Sequence, residues 1–137
     1  AVILDKGIGQ ERDRANLVVA RLKAAGRKVV EVNAGRIGSS GVPDFPLEVD
    51  AITWEGDAAG FAGLIAASDL YVGYDSAFQH IAAALGVAVI DIFAHTDNNR
   101  FIDRWTPYSK APVRVVKVAP GDAASAIREV ETSIRDL

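Results

Sequence analysis

The run Asp75-Ser76-Ala77-Phe78-Gln79-His80 gathers an acid, a hydroxyl, an amide and an imidazole at one sharp polar turn. Ser76 and Gln79 have the S-x-x-Q spacing of a capping box, in which two side chains satisfy the first donors of a helix. Ser76 and His80 are four positions apart and so share one side of that helix start. A helix start carries unpaired N–H groups and the positive end of the helix dipole, so a phosphate is a natural ligand there. The box needs no ligand to explain it. It accounts for Ser76 and Gln79 but not for Asp75 and His80, and both readings, a capped helix and an anion site, stand on these residues.

Two other loops carry polar chemistry. Asp5-Lys6-Gly7-Ile8-Gly9 follows an apolar run and opens a helical pattern. Gly7 and Gly9 would let the backbone approach a phosphate, and Lys6 would neutralise it. The dinucleotide fingerprint wants a third glycine where Arg12 stands, and no Gly-Lys-Ser/Thr sequence of a P-loop is present, so a tight strand-to-helix turn explains this loop equally well. In Ala94-His95-Thr96-Asp97, His95 and Asp97 have the types of an acid–base pair, but nothing orients them on a nucleophile. A hydrolase triad of Ser76, His80 and an Asp lacks the G-x-S-x-G elbow.

These residues need a scaffold that brings loops to one edge. Val2 to Leu4, Lys28 to Val32, Val49 to Trp54, Leu70 to Gly73, Val87 to Phe93 and Val113 to Val118 read as strands. Helices are expected from Gln10 to Ala25, after an Asp57 cap, from Ser76 to Leu85, and after an Asp122 cap. Their apolar faces are Val18, Leu22 and Ala25; Phe61, Leu64 and Ile65; and Ala126, Ile127, Val130 and Ile134. Asn33 to Glu48 and Ala94 to Pro112 read as loops. The alternation implies one α/β domain over residues 1–137. It is a three-layer Rossmann-like sandwich with a mainly parallel sheet of about six strands. Ligands of such folds bind at the carboxyl ends of the strands.

Composition narrows the classes. The 137 residues carry a net charge of −3, without the basic surplus of a nucleic-acid binder. There is no cysteine and there are only two histidines, which excludes disulfides and argues against a metal centre. No apolar run has the length of a membrane span, and the cytoplasm is the expected location. The chain contains no Met and begins within a strand, which points to an excised, processed or engineered segment or to half of something larger.

Ser68-Asp-Leu-Tyr-Val-Gly-Tyr-Asp-Ser-Ala-Phe-Gln-His-Ile-Ala-Ala-Ala-Leu-Gly-Val-Ala-Val-Ile-Asp-Ile-Phe-Ala-His-Thr-Asp97 resembles the signature of glycosyltransferase family 9, the ADP-heptose:lipopolysaccharide heptosyltransferase-like enzymes. That signature is a strand, Asp-Thr-Gly or a variant, a His four residues after the Thr, Ala-Ala-Leu-Gly, an apolar strand and a Thr-Asp turn. Here Ala77 stands where the Gly is usual, and Asn98-Asn99 where a Pro is common. The resemblance implies the carboxyl-terminal, donor-binding half of a two-domain GT-B enzyme whose catalysis needs no metal or other cofactor. A missing amino-terminal Rossmann-like domain would supply the acceptor site and catalytic base, so no catalytic residue is assigned in this chain. By the same resemblance, the N–H groups of Ser76 and Ala77 would hold the diphosphate of a sugar nucleotide, ADP-linked sugars being one option. Asp75 and His80 would lie beside it, and Lys6 and Gly7 would approach from the first loop. Glu31 and Glu55 are candidates for a ribose-binding acid. Phe101, Trp105 and Tyr108 are candidates either for a surface facing the missing domain or for ordinary core packing. The complete enzyme would add a sugar to a glycan or lipopolysaccharide acceptor at the inner face of the membrane. Alternatives are a non-catalytic Rossmann-like binding module and an NAD-dependent enzyme.

Overall fold

A computed structural model describes residues 1–4, 10–32, 47–53, 57–94, 96 and 98–137. The element order is β1 (Val2–Leu4), α1 (Gln10–Ala24), β2 (Val30–Val32), β3 (Ala51–Thr53), α2 (Ala58–Ala66), β4 (Leu70–Tyr74), α3 (Ala77–Ala84), β5 (Ala88–Phe93), α4 (Asn99–Trp105), β6 (Val113–Lys117) and α5 (Ala123–Asp136). The strands form one six-stranded sheet in the order β3-β2-β1-β4-β5-β6, and every described pairing is parallel. The expected three-layer architecture and strand number are therefore present.

Helices cover both faces. On one side, Val18, Val19 and Leu22 of α1 and Ala126, Val130 and Ile134 of α5 pack with Leu70, Val72, Ile90 and Val116. On the other, Phe61 and Ile65 of α2 and Ala82 and Ala83 of α3 pack with Val32, Tyr71 and Val89. Alternate residues of β4 and β5 thus feed opposite cores, and each fully buried aliphatic side chain contributes roughly 1.5–3 kcal/mol. Of the expected helix faces, Ala25 is instead exposed, because α1 ends at Ala24 and the chain turns away through Gly26 at φ 77°.

The expected loop from Ala94 to Pro112 contains a helix. Asn98 caps α4, its side-chain oxygen accepting from the N–H groups of Arg100 and Phe101 at 3.1 and 3.4 Å. Ile102 is the buried residue that anchors it. Seven residues are too few to display a helical period, so the cap and one anchor decide its structure.

In β4, the Tyr71 ring lies along the strand and over Gly73. A Cβ on Gly73 would sit 2.6 Å from Tyr71 Oη and 2.9 Å from Cζ. Gly73 is thus required by close approach, in the middle of a central strand where glycine is otherwise unfavourable. Gly73→Ala is expected to destabilise the fold by about 1–3 kcal/mol through overpacking. Urea denaturation should show a smaller loss when the same substitution is made beside Tyr71→Phe, which removes the closest atom; equal losses in both backgrounds would show that the ring is not the obstacle.

Candidate functional site

From β1 the chain moves outward to β2 and β3, then returns to lay β4 on the other side of β1. The crevice between the carboxyl ends of β1 and β4 is the topological switch point, where doubly wound sheets bind ligands. One lip is the turn Tyr74-Asp75-Ser76. The loop with Lys6, Gly7 and Gly9 lies outside the described residues, as do Glu55, His95 and Asp97.

The capping box forms. Ser76 is extended at φ −162° and ψ 178°, and its hydroxyl oxygen accepts from the Phe78 N–H at 3.3 Å. The Ser76 N–H donates to the side-chain oxygen of Gln79, which is buried. The Asp75 N–H donates to the Ile92 carbonyl at 3.2 Å, tying the turn to β5. The Ser76 N–H, one of the two expected phosphate donors, is therefore already used inside the box. Ala77, at the first helical position, is exposed, and its N–H is the donor of this corner that the box leaves outside.

His80 is half-buried one turn further on and meets Trp105 of α4 edge-on, with ring centroids 6.3 Å apart. Phe101 lies 6.1 Å from Trp105 and 6.4 Å from Phe93. Phe101 is 39% exposed, Trp105 46% and Tyr108 95%, so Tyr108 is a surface residue and the α4 aromatics are only partly packed. The α4 helix thus backs the imidazole and leaves an aromatic strip beside it.

Beneath the turn lie two polar groups that the sequence reading passed over. Asp91 of β5 is opposite Gly73 of β4 in the ladder and is 0% exposed. Neither of its carboxyl oxygens has a hydrogen-bond partner among the described residues. Burial, reinforced by the charge of Asp75, pushes the Asp91 carboxyl up to about 7. Burial also raises the Tyr71 phenol, against a smaller opposing effect of Ser76. The available signals were a lone acid within the apolar run Ala88–Phe93 and a glycine two residues after a tyrosine.

Glu31, a candidate ribose acid, is removed from that role. It is wholly buried in β2 and paired with Arg12 from the first turn of α1, through Nη1 to Oε1 and through Nη2 to Oε2 at 3.4 Å. Arg12 occupies the position of the third fingerprint glycine, so the chain fills that space with a cation and supplies its counter-ion from β2. No group of three or more His, Cys, Asp or Glu residues able to hold a metal exists among the described residues. No helix among them is long and apolar enough to cross a membrane.

A family model described as glycosyltransferase family 9 (heptosyltransferase) matches residues 57–128. No curated protein sequence matches the chain. Among solved structures, the Escherichia coli heptosyltransferase WaaC with ADP superposes with a TM-score of 0.75 at 13% identity, over 98% of this chain and 43% of WaaC. WaaC with ADP-2-deoxy-2-fluoro heptose gives 0.71 at 14% identity over 98% and 42%. A family 9 glycosyltransferase from Veillonella parvula gives 0.63 at 14% identity over 99% and 46%. At such identities the likeness establishes the fold, and the chain spans less than half the length of these proteins.

Two expectations follow from the buried charges. Asp91 has its carboxyl raised from 3.8 to about 7 in the fold, so the folded chain holds the proton more tightly than the unfolded one. That contribution is complete below about pH 4 and is lost as pH rises to about 7, on the order of 1.4 kcal/mol per unit. Asp91→Asn should therefore gain thermal stability relative to the parent at about pH 8, with the advantage shrinking or reversing near pH 4. A pH-independent difference would remove Asp91 as the cause. For the buried pair, Arg12→Met alone should cost about 3–5 kcal/mol in denaturant unfolding because it strands Glu31. Adding Glu31→Gln should restore much of the loss.

Proposed function

Because the chain belongs to glycosyltransferase family 9, we propose that residues 1–137 are the donor-binding domain of a GT-B glycosyltransferase. The domain holds the diphosphate of a sugar nucleotide at the β1/β4 switch point. The complete enzyme, joined to an amino-terminal Rossmann-like domain that carries the acceptor and the base, transfers the sugar to a glycan or lipopolysaccharide acceptor on the cytoplasmic side of the membrane. Heptose is the first sugar to test, since the E. coli heptosyltransferase with the same fold was solved with ADP and with an ADP-heptose analogue.

The observation that carries this reading is the start of α3 at the switch point. It combines a donor at Ala77, the Ser76 hydroxyl and the imidazole of His80 on one side of the helix. Lys6 and Gly7 would contact the same anion, as the sequence resemblance implies. During transfer, negative charge builds on the departing diphosphate. The helix start, His80 and Lys6 stabilise it, which is the electrostatic role of a preorganised site. The Ala77 methyl group leaves less space than glycine for a phosphate over the backbone, so contact runs through the first N–H and the flanking side chains. The exposed strip of Phe101 and Trp105 faces the remainder of the enzyme in this reading.

Titration of the chain with ADP, UDP and GDP, followed by amide shifts, tests the site. ADP is expected to move Ser76, Ala77 and His80. His80→Ala should weaken binding by roughly tenfold, the scale of one hydrogen bond to a charged group. If no nucleoside diphosphate perturbs these three residues, the donor-site assignment is wrong. Binding without transfer after the amino-terminal domain is supplied would favour the non-catalytic module.

A further inference from the structure

The donor corner has a carboxyl group on each side of its floor. Asp75 belongs to the turn itself. Asp91 lies beneath it, one residue before Ile92, whose carbonyl receives the Asp75 N–H. Asp91 is buried completely, has no hydrogen-bond partner on either oxygen among the described residues, and sits across the ladder from Gly73, over which the Tyr71 ring lies. We propose that Asp91 is a positioning residue of the donor site: it occupies the fold as the neutral acid, so that the phosphate corner above it contains one carboxylate instead of two. This role deepens the diphosphate reading of the corner and rests on it.

The physical case is one of unpaired charge. A carboxylate buried without partners costs several kcal/mol, and a carboxylic acid of the same shape costs far less. Among the described residues, the surroundings offer little to compensate an anion. On β4 and its turn the titratable neighbours are Tyr71 and Asp75, the first neutral and the second of like sign. On β5, Asp91 is the sole titratable residue. On β6, Val115 faces it; Arg114 pairs with Ile90 and so points to the opposite face, and Lys117 donates its ammonium to Asn99 at 2.9 Å. On α3 the titratable residue is His80, whose ring is turned to Trp105. The charged residues of α4, Arg100, Asp103 and Arg104, are exposed. An anion placed at Ala77 would add another negative charge to the neighbourhood of Asp91. Ligand binding and a proton on Asp91 therefore reinforce each other, and any Asp91 still ionised before binding takes up one proton from solvent as the diphosphate arrives.

The experiment has two arms. First, the carboxyl carbon of Asp91 in the free chain is followed by carbon-13 NMR from about pH 4 to about pH 9. The expected result is a transition near neutrality, with the amides of Asp75, Ser76 and Ala77 moving at the same midpoint and losing that movement in Asp91→Asn. A carboxyl that titrates like an exposed aspartate, or turn amides that ignore it, would overturn the proposal without any nucleotide being present. Second, ADP affinity is compared at about pH 6 and about pH 8.5 in the parent and in Asp91→Asn. Ionisation of ADP is common to both chains. On raising the pH, the parent should lose roughly tenfold more affinity than the Asn variant, the scale of one nearby charge in a partly screened site. Identical pH profiles would also overturn it. Failure of both chains to bind ADP at either pH would sink the nucleotide reading, while the first arm still decides whether Asp91 carries its proton and controls the turn.

Discussion

A parallel sheet covered by helices on both faces leaves almost no place for polar side chains except its two edges. That constraint organises this molecule. Apart from Asp91 and the Tyr71 hydroxyl, the middle strands β4 and β5 are apolar on both sides, because α1 and α5 take one face and α2 and α3 the other. Polar chemistry is pushed to the carboxyl ends, where the strands run into turns and helix starts. The strand order then selects one place along that edge. Between β1 and β4 the connections diverge to opposite sides, and the crevice they leave is lined by the ends of the first and fourth strands. Ser76, Ala77 and His80 stand at that crevice because β4 ends there.

The same constraint explains which parts were legible in the sequence. Buried strands appear as short apolar runs between turn residues, and four expected strands coincide closely with β1, β4, β5 and β6, while β2 and β3 are shorter than their runs. The capping box was legible because its four residues are contiguous. Glu31 was not, because its partner Arg12 is 19 residues away and only folding brings them together. An acid at the end of a strand near a nucleotide site resembles a ribose ligand until its counter-ion is visible. The α4 helix escaped because a single anchor, Ile102, and one cap hold it, and neither leaves a periodic trace. Asp91 was hidden by its surroundings: five apolar neighbours in a six-residue strand make the strand assignment safe and the one charged residue easy to pass over.

The capping box and the proposed anion site compete for the same few donors. A helix begins with unpaired N–H groups, and every one satisfied internally is one fewer for a ligand. Here the box uses the Ser76 and Phe78 N–H groups. The helix start is thereby rigid before any ligand arrives, which lowers the ordering cost of binding, but its backbone offers fewer contacts. Side chains have to supply what the backbone does not. His80 is suited to this, since α4 backs its ring through Trp105 and holds it beside the helix start. The aromatic strip on α4 and the proposed anion corner on α3 are thus one construction, although they come from separate stretches of sequence.

Asp91 adds an electrostatic condition to that construction. Anion binding at a corner that already contains Asp75 is tolerable if the helix dipole and His80 outweigh one carboxylate. A second ionised carboxylate directly below would remove much of that margin, because low-dielectric surroundings strengthen repulsion as much as attraction. The fold resolves this mainly through burial, which the charge of Asp75 reinforces. By closing Tyr71 over Gly73 and giving Asp91 no hydrogen-bond donor among the described residues, it keeps the acid protonated until the pH approaches neutrality. A single aspartate inside an apolar strand then influences a ligand it does not touch, through the proton it retains.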